Sequence, residues 1–203
     1  MGNELRRRRM LINGAVTPEE SWDYQWDYTD GDLSNKGFVL TKGNGTTSYV
    51  SDGVQLIGAN YNYNNTCRIS VDGVNYFAKA VIEVDFTIRK ISGTSSNRGF
   101  GILLSSSGGG MWGFIVGVSN GTNLLYRTFN GTNATNTTDN DLVTEGGTYT
   151  MRIEHNGRSQ QEHAYIDGDL VTSVTPTNTT KQQFIITAMQ GTFVVHSIRI
   201  KEG

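Results

Sequence analysis

The chain is written in short runs where apolar and polar residues alternate with a period of two, interrupted at intervals by Gly and Asn. In VIEVDFTIRK (81–90), Ile82, Val84, Phe86 and Ile88 fall on one face and Glu83, Asp85, Thr87 and Arg89 on the other. A β-strand returns every second side chain to the same face, so the pattern predicts a strand with one buried and one wet side. TYTMRIEHNG (148–157) does the same with Tyr149, Met151 and Ile153 against Thr150, Arg152 and Glu154. WGFIVGVSNGTNLLYRTFNG (112–131) predicts a hairpin turning at Asn120-Gly121, and EHAYIDGDLVTSV (162–174) one turning at Asp167-Gly168, both pairs suited to tight turns. GFGILLSS (99–106), SYVSDGVQLIG (48–58), TCRISV (66–71) and QFIITAM read as further strands. In the last one, TFVVHSIRIKE (192–202), Val195, Ser197 and Arg199 alternate against Val194, His196, Ile198 and Ile200. Such strands, spaced at roughly 8–12 residues with turn signals between them, are the mark of a sandwich or barrel, so the predicted fold is all-β. The Asn/Thr run NGTNATNTTDND (130–141) reads as a mobile loop at one edge.

Composition narrows the partners. A net charge of -2 gives no global attraction to nucleic acid or to an anionic membrane. A single cysteine, Cys67, excludes an internal disulfide, and its strand pattern reads as a small buried hydrophobe. No run approaches the roughly 18 apolar residues of a membrane span. The basic run Arg6–Arg9 is followed by too short an apolar stretch for a signal peptide, and Arg6 stands where a myristoylation motif needs Ser or Thr. A product made in the cytoplasm without an export signal is therefore expected. Seven Asn-x-Ser/Thr sequons read as turn chemistry. Residues 1–36 are expected to form an arm, basic and then aromatic-rich, with a short helix plausible where Thr17-Pro18-Glu19-Glu20 spells a cap and first turn. The β domain is expected over 37–203.

From DGVQLIG, YFAKAVIEVDFTI, TYTMRIEHNG…AYIDGDLVTS and FVVHSIRIKE, the chain resembles the concanavalin A-like lectin/glucanase superfamily in its laminin-G-like branch. That resemblance spans about residues 37–202 and implies a two-sheet antiparallel jelly-roll sandwich. The opening NELRRRRM, with WDYQWDYTDGDLSNKGF before the strands, is similar to structural proteins encoded by phages and prophages of gut bacteria. This second resemblance implies a virion component, such as a head fibre, capsid decoration or tail-associated protein, with capsid, portal or tail proteins as partners. It implies the virion as the location and a homo-oligomeric state.

The superfamily's retaining glucanases place carboxylates on one strand as ExDxE or ExDxxE, because two carboxyl groups must flank the scissile bond. Glu83 and Asp85 share a face, but positions 87 and 88 are Thr87 and Ile88, so the general acid is missing. The expectation is a non-enzymatic chain. Neither a nucleophile elbow nor a phosphate loop is present, SSSGGGMWG (105–113) lacking the lysine of the latter. No cofactor is expected. One structural calcium has acidic pairs to choose from at Asp30/Asp32, Asp139/Asp141 and Asp167/Asp169, each of which also reads as turn chemistry.

For glycan contact, Tyr61, Asn62, Tyr63 and Trp112 combine aromatic faces with amides. For a partner interface, Leu5, Arg6, Arg7, Arg8, Arg9, Met10 and Leu11 form an anchor, joined by Trp22 and Trp26 unless these cap the sandwich's own core. The leading expectation is a virion structural protein held by this arm and displaying a jelly roll to an assembly or to host-surface glycans. The alternative is a free carbohydrate-binding module or lectin, and a degenerate glycoside hydrolase ranks last.

Overall fold

The computed structural model describes residues 21–59, 66–73, 78–92, 99–106, 111–120, 123–131, 133–157, 160–175 and 182–203. The Asn62 region and the anchor residues Leu5 to Leu11 lie outside them. Two antiparallel sheets pack face to face. The first holds eight strands: β1 (Tyr24–Asp27), β3 (Thr46–Val50), β4 (Gly53–Gly58), β6 (Ala80–Ile91), β11 (Thr148–His155), β12 (Glu162–Ile166), β13 (Asp169–Val174) and β15 (Gly191–Glu202). Their order is β13-β12-β11-β6-β15-β4-β3, with β1 also paired to β15. The second holds β2 (Phe38–Thr41), β5 (Cys67–Val71), β7 (Gly99–Ser106), β8 (Met111–Asn120), β9 (Asn123–Gly131), β10 (Asn133–Thr138) and β14 (Gln182–Met189), in the order β10-β9-β8-β7-β14-β5-β2. Consecutive strands repeatedly cross between the sheets, which gives the jelly-roll sandwich that the alternation predicts. The only helical turns described are single 3-10 turns at Tyr28–Asp30 and Leu33–Lys36.

The core is where the alternation puts it. Ile82, Val84, Phe86 and Ile88 of β6 are fully buried and meet Phe100 and Phe114 from the opposite sheet. Phe86 stacks on Phe100 with ring centroids 4.3 Å apart and touches Tyr149 at 6.0 Å. Buried rings of this size supply much of a sandwich's hydrophobic stabilisation. Gly101 of β7 allows the close approach of β8, since a Cβ there would sit 2.2 Å from the Phe114 carbonyl oxygen. The β12–β13 hairpin turns through Asp167 and Gly168 at φ 53° and 90°, both left-handed, as a two-residue turn that follows the strand twist requires.

Three sequence expectations are corrected. The stretch 130–141 is not simply a loop, because β10 runs antiparallel to β9 from Asn133 to Thr138, with Ala134 opposite Phe129. Its Asn and Thr side chains conceal an edge strand from a pattern that looks for apolar alternation. SYVSDGVQLIG holds two strands, β3 and β4, paired from Thr46–Ile57 to Val50–Gly53. In β15 the expected alternation changes phase, because a bulge between Val195 and Ser197 inserts His196. Phe193 and Val195 on one side of it therefore share the buried face with Ile198 and Ile200 on the other.

Of the two places open to Trp26, anchor or core, the structure gives it the core. It lies on β1 opposite Ile198, is fully buried, and its Nε1 donates to the Gly31 carbonyl at 2.9 Å. The segment assigned to the arm thus contributes Trp26 and Leu33 to the sandwich. Phe86→Ala is expected to lower unfolding stability by about 3–5 kcal/mol, read as a denaturation midpoint shift without a changed slope.

Candidate functional site

The outer face of the eight-stranded sheet carries its polar chemistry in rows that run across the strands. Strand registers place Gln25 opposite Arg199, Arg199 opposite Glu83, Glu83 opposite Arg152, Arg152 opposite Tyr165, and Tyr165 opposite Leu170. Six strands at their usual spacing make this row about 24 Å long. Its charges alternate and touch. Arg199 Nη2 lies 2.6 Å from Glu83 Oε1 and 3.5 Å from Asp85 Oδ2. Arg152 Nη1 donates to Glu83 Oε2 at 3.1 Å, and its Nη2 lies 3.1 Å from Glu154 Oε1. Tyr165 Oη donates to Glu154 Oε2 at 3.1 Å.

A second row flanks the first. Asp85 accepts from Ser197 Oγ at 2.5 Å and from Thr150 Oγ1 at 2.6 Å, one neighbour on each side. Trp22 lies over the Arg199 guanidinium at 5.6 Å from the ring centroid. A guanidinium held between carboxylates and an indole face is fixed in plane, which a lysine ammonium would not be.

These groups are half-buried: the Glu83 side chain is 15% exposed and that of Arg199 32%. Burial pulls the Arg152 guanidinium down, but the Glu154 and Glu83 carboxylates outweigh it and its pKa lies above the ordinary arginine value. Burial, with the Glu154 carboxylate beside it, pushes the Tyr165 phenol up. One donor is left over, since Arg199 Nε is buried without a hydrogen-bond partner. Leaving a buried donor unmade is costly.

Elsewhere the polar groups serve the fold. His196, the inserted residue of β15, bonds Thr87 Oγ1 through Nε2 at 2.7 Å and the Asp52 carbonyl through Nδ1 at 2.5 Å. His155 Nδ1 and Glu162 Oε1 meet at 2.5 Å between the sheets, both nearly fully buried. Glu162 shares a narrow crevice there with Phe114, Ile153 and Val174. Cys67 is buried with Sγ near the carbonyls of Lys42, Thr46 and Ile57, and burial pushes its thiol up, the setting of an unreactive cysteine.

The expected sites fare unevenly. Tyr61, Asn62 and Tyr63 lie outside the described residues. Trp112 is a β8 residue paired with Leu104 and Asn130, two positions from the core residue Phe114. Trp22 joins the polar face, while Trp26 leaves the list. Of the acidic pairs, Asp30 lies 2.9 Å from Lys36 Nζ, Asp139 accepts from the Asp141 amide at 3.2 Å, and Asp167 accepts from the Thr150 amide at 2.8 Å. Among the described residues no three His, Cys, Asp or Glu side chains are grouped to hold a metal. Sequence reasoning missed Arg152, Glu154, Tyr165 and Arg199 as a unit, although alternation had put Arg152 and Glu154 on the wet side. The missing signal is register, which decides who faces whom across strands.

No family model matches the chain, and no curated protein matches it. Solved structures do. The Crh5 transglycosylase is 16% identical, with 89% of this chain and 84% of that one covered at a TM-score of 0.61. The laminarinase catalytic domain from Thermotoga maritima is 10% identical, with 91% and 100% covered at 0.61. The carbohydrate binding module CBM66 from Bacillus subtilis is 19% identical, with 82% and 96% covered at 0.55. The fold is a concanavalin A-like jelly roll. At these identities the likeness concerns fold, and it overturns one expectation drawn above. A jelly roll of this shape is carried by a transglycosylase and by laminarinases, so the non-enzymatic assignment is withdrawn. Nothing in these structures bears on the virion role.

Glu83→Gln is expected to destabilise the fold by about 1–3 kcal/mol, because it removes charge-assisted bonds from two arginines at once. A double-mutant cycle with Arg152→Gln should return a coupling above about 0.5 kcal/mol, and additive losses would show that the ladder is not a unit.

Proposed function

We propose that the chain is a carbohydrate-binding protein whose glycan lies against the outer face of the eight-stranded sheet, along the Arg199–Glu83–Arg152–Tyr165 row. The observation that carries this reading is the row itself. Saccharides present closely spaced hydroxyl groups and flat apolar ring faces. Guanidinium and carboxylate pairs offer donors and acceptors side by side, and Trp22 and Tyr165 add aromatic surface at two points of the row. The side chains sit on strands, locked by their neighbours, so little is left to order when a ligand arrives. Among the described residues of this face, Arg199 Nε is buried without a protein hydrogen-bond partner. The likeness to a carbohydrate binding module supports this function over the virion reading.

The virion reading rests on residues 1–20 and on a resemblance of the opening segment; no described contact favours it. Cleavage is a question for the same face. Glu83 and Asp85 stand together on β6 as the glucanase spelling requires, while Thr87 and Ile88 occupy the positions of the third acid, Ile88 fully buried.

Calorimetric titration against a panel of soluble oligosaccharides tests the proposal. Arg152→Ala and Trp22→Ala are each expected to weaken binding about tenfold or more, equivalent to at least about 1.4 kcal/mol. Tyr61→Ala with Tyr63→Ala separates the other candidate contact. If that pair abolishes binding and the Arg152 and Trp22 variants leave it intact, the face is misassigned. Reducing ends released in the same mixtures, and lost in Glu83→Gln, would extend binding to cleavage.

A further inference from the structure

We propose that the buried His155–Glu162 pair is a proton-sensitive latch, which holds the β12–β13 hairpin to the sandwich and releases it in acid. Among the described residues these are the only buried acid and the only buried histidine. Their side chains are 4% and 6% exposed, and His155 Nδ1 meets Glu162 Oε1 at 2.5 Å. The elements packed around them contribute no charge. β6 sets Ala80 beside His155, β13 sets Val174 opposite Glu162, and Ile153 of β11 and Phe114 of β8 line the crevice with Glu162. Neither residue makes a second ion pair among the described residues. The next charge along the row, Glu202, pairs with the far side of Ala80 at the exposed end of β15.

Little else holds the hairpin on its inner side. It forms one edge of the first sheet, and among the described strands it joins that sheet through β11 alone. β12 buries only Glu162, Ala164 and Ile166, and β13 adds no fully buried residue. The pairing between the two strands also shifts register between Ala164 and Tyr165. One of the three inward side chains of β12 is therefore tied by a bond between two titratable groups. Segments with so little buried apolar surface open locally at a lower free energy than the whole domain.

Charge sets the direction of the switch. While Glu162 is a carboxylate it accepts from His155, whether the imidazole is neutral or protonated. Once acid has protonated both, an imidazolium is left between the sheets with no counter-charge among the described residues. A buried unpaired charge is strongly unfavourable, and opening the hairpin returns it to water. Other titratable groups touch the hairpin, all of them on its wetter side. Glu154 accepts from Tyr165 Oη at 3.1 Å, Asp167 accepts from the Thr150 amide at 2.8 Å, His163 bonds Ser173 within the hairpin at 2.7 Å, and Asp169 is exposed. Water reaches these groups and offsets a change in their charge. Tyr165 stands three residues beyond Glu162, so release of the hairpin removes one end of the polar row. If the carbohydrate reading on which this last step rests holds, acid weakens glycan binding.

Hydrogen exchange on the full chain provides the test, at about pH 7.5 and about pH 4, a span that crosses the ordinary ranges of imidazole and carboxyl groups. Protection of the amides in 162–174, corrected for the intrinsic pH dependence of exchange, is expected to fall at least about tenfold while that of β6 holds. His155→Phe with Glu162→Leu removes both titrating groups and should leave the hairpin equally protected at the two pH values. Asp167→Asn and Glu154→Gln should each keep the wild-type loss, a second reading that does not depend on the apolar pair folding well. Wild-type hairpin protection that falls no further than that of β6, a loss that persists in the apolar pair, or a loss removed by Asp167→Asn or Glu154→Gln would each overturn the latch. Exchange is read without ligand, so its failure leaves the carbohydrate reading standing. Oligosaccharides that fail to bind at about pH 7.5 count against that reading alone.

Discussion

The register of β6 between β11 and β15 is the constraint from which the rest follows. Its inner residues, Ile82, Val84, Phe86 and Ile88, are held by the opposite sheet, so a slip by one position would carry four apolar side chains into water and two carboxylates into the core. With that register fixed, Glu83 has no freedom to choose partners. It lies between Arg199 and Arg152 because those are the residues that the neighbouring strands bring opposite. The hydrophobic effect, which knows nothing of charge, thereby assembles a charge-alternating ladder on the other side of the sheet.

The bulge at His196 shows how closely the two faces are coupled. Strict alternation through β15 would put Val195 on the same side as Ser197 and Arg199, leaving either a valine in the polar row or an arginine among the phenylalanines. One inserted residue removes the conflict. The extra side chain is not wasted, for His196 ties Thr87 of β6 to the carbonyl of Asp52 at the β3–β4 turn. A local defect in the ladder of backbone bonds thus joins three strands that are distant in sequence.

These particulars explain what could be read in advance. Strands with one wet and one dry side, such as β6 and β11, announce themselves because burial writes a period of two into the sequence. The turn at Asp167-Gly168 was legible because few residues accept left-handed dihedrals. β10 was not, since a strand spelled in Asn, Ala and Thr carries no apolar alternation to find. The bulge was not, because it cancels the very periodicity used to find strands. Trp26 could be read as either anchor or core. A tryptophan says that large apolar area will be covered without saying by what, and here β15 and the Gly31 carbonyl cover it. The ladder lay half in view: Glu83, Asp85, Arg152 and Glu154 were on the predicted wet faces, but their adjacency to strands as distant in sequence as that of Arg199 was not.

On the proposed reading, stability and recognition draw on the same side chains in this chain. A surface built only for solubility would scatter its charges, and isolated exposed ion pairs contribute little. Here Arg152, Arg199, Glu83 and Asp85 are half withdrawn from water and bonded in a plane, so their order is established when the chain folds and not when a ligand binds. A saccharide meeting that face replaces water at fixed donors and acceptors, and the remaining expense is its own loss of freedom. The orphan Nε of Arg199 fits the same account. Its guanidinium is held between Trp22 and the Glu83 and Asp85 carboxylates, contacts that fix its position although Nε has no protein partner.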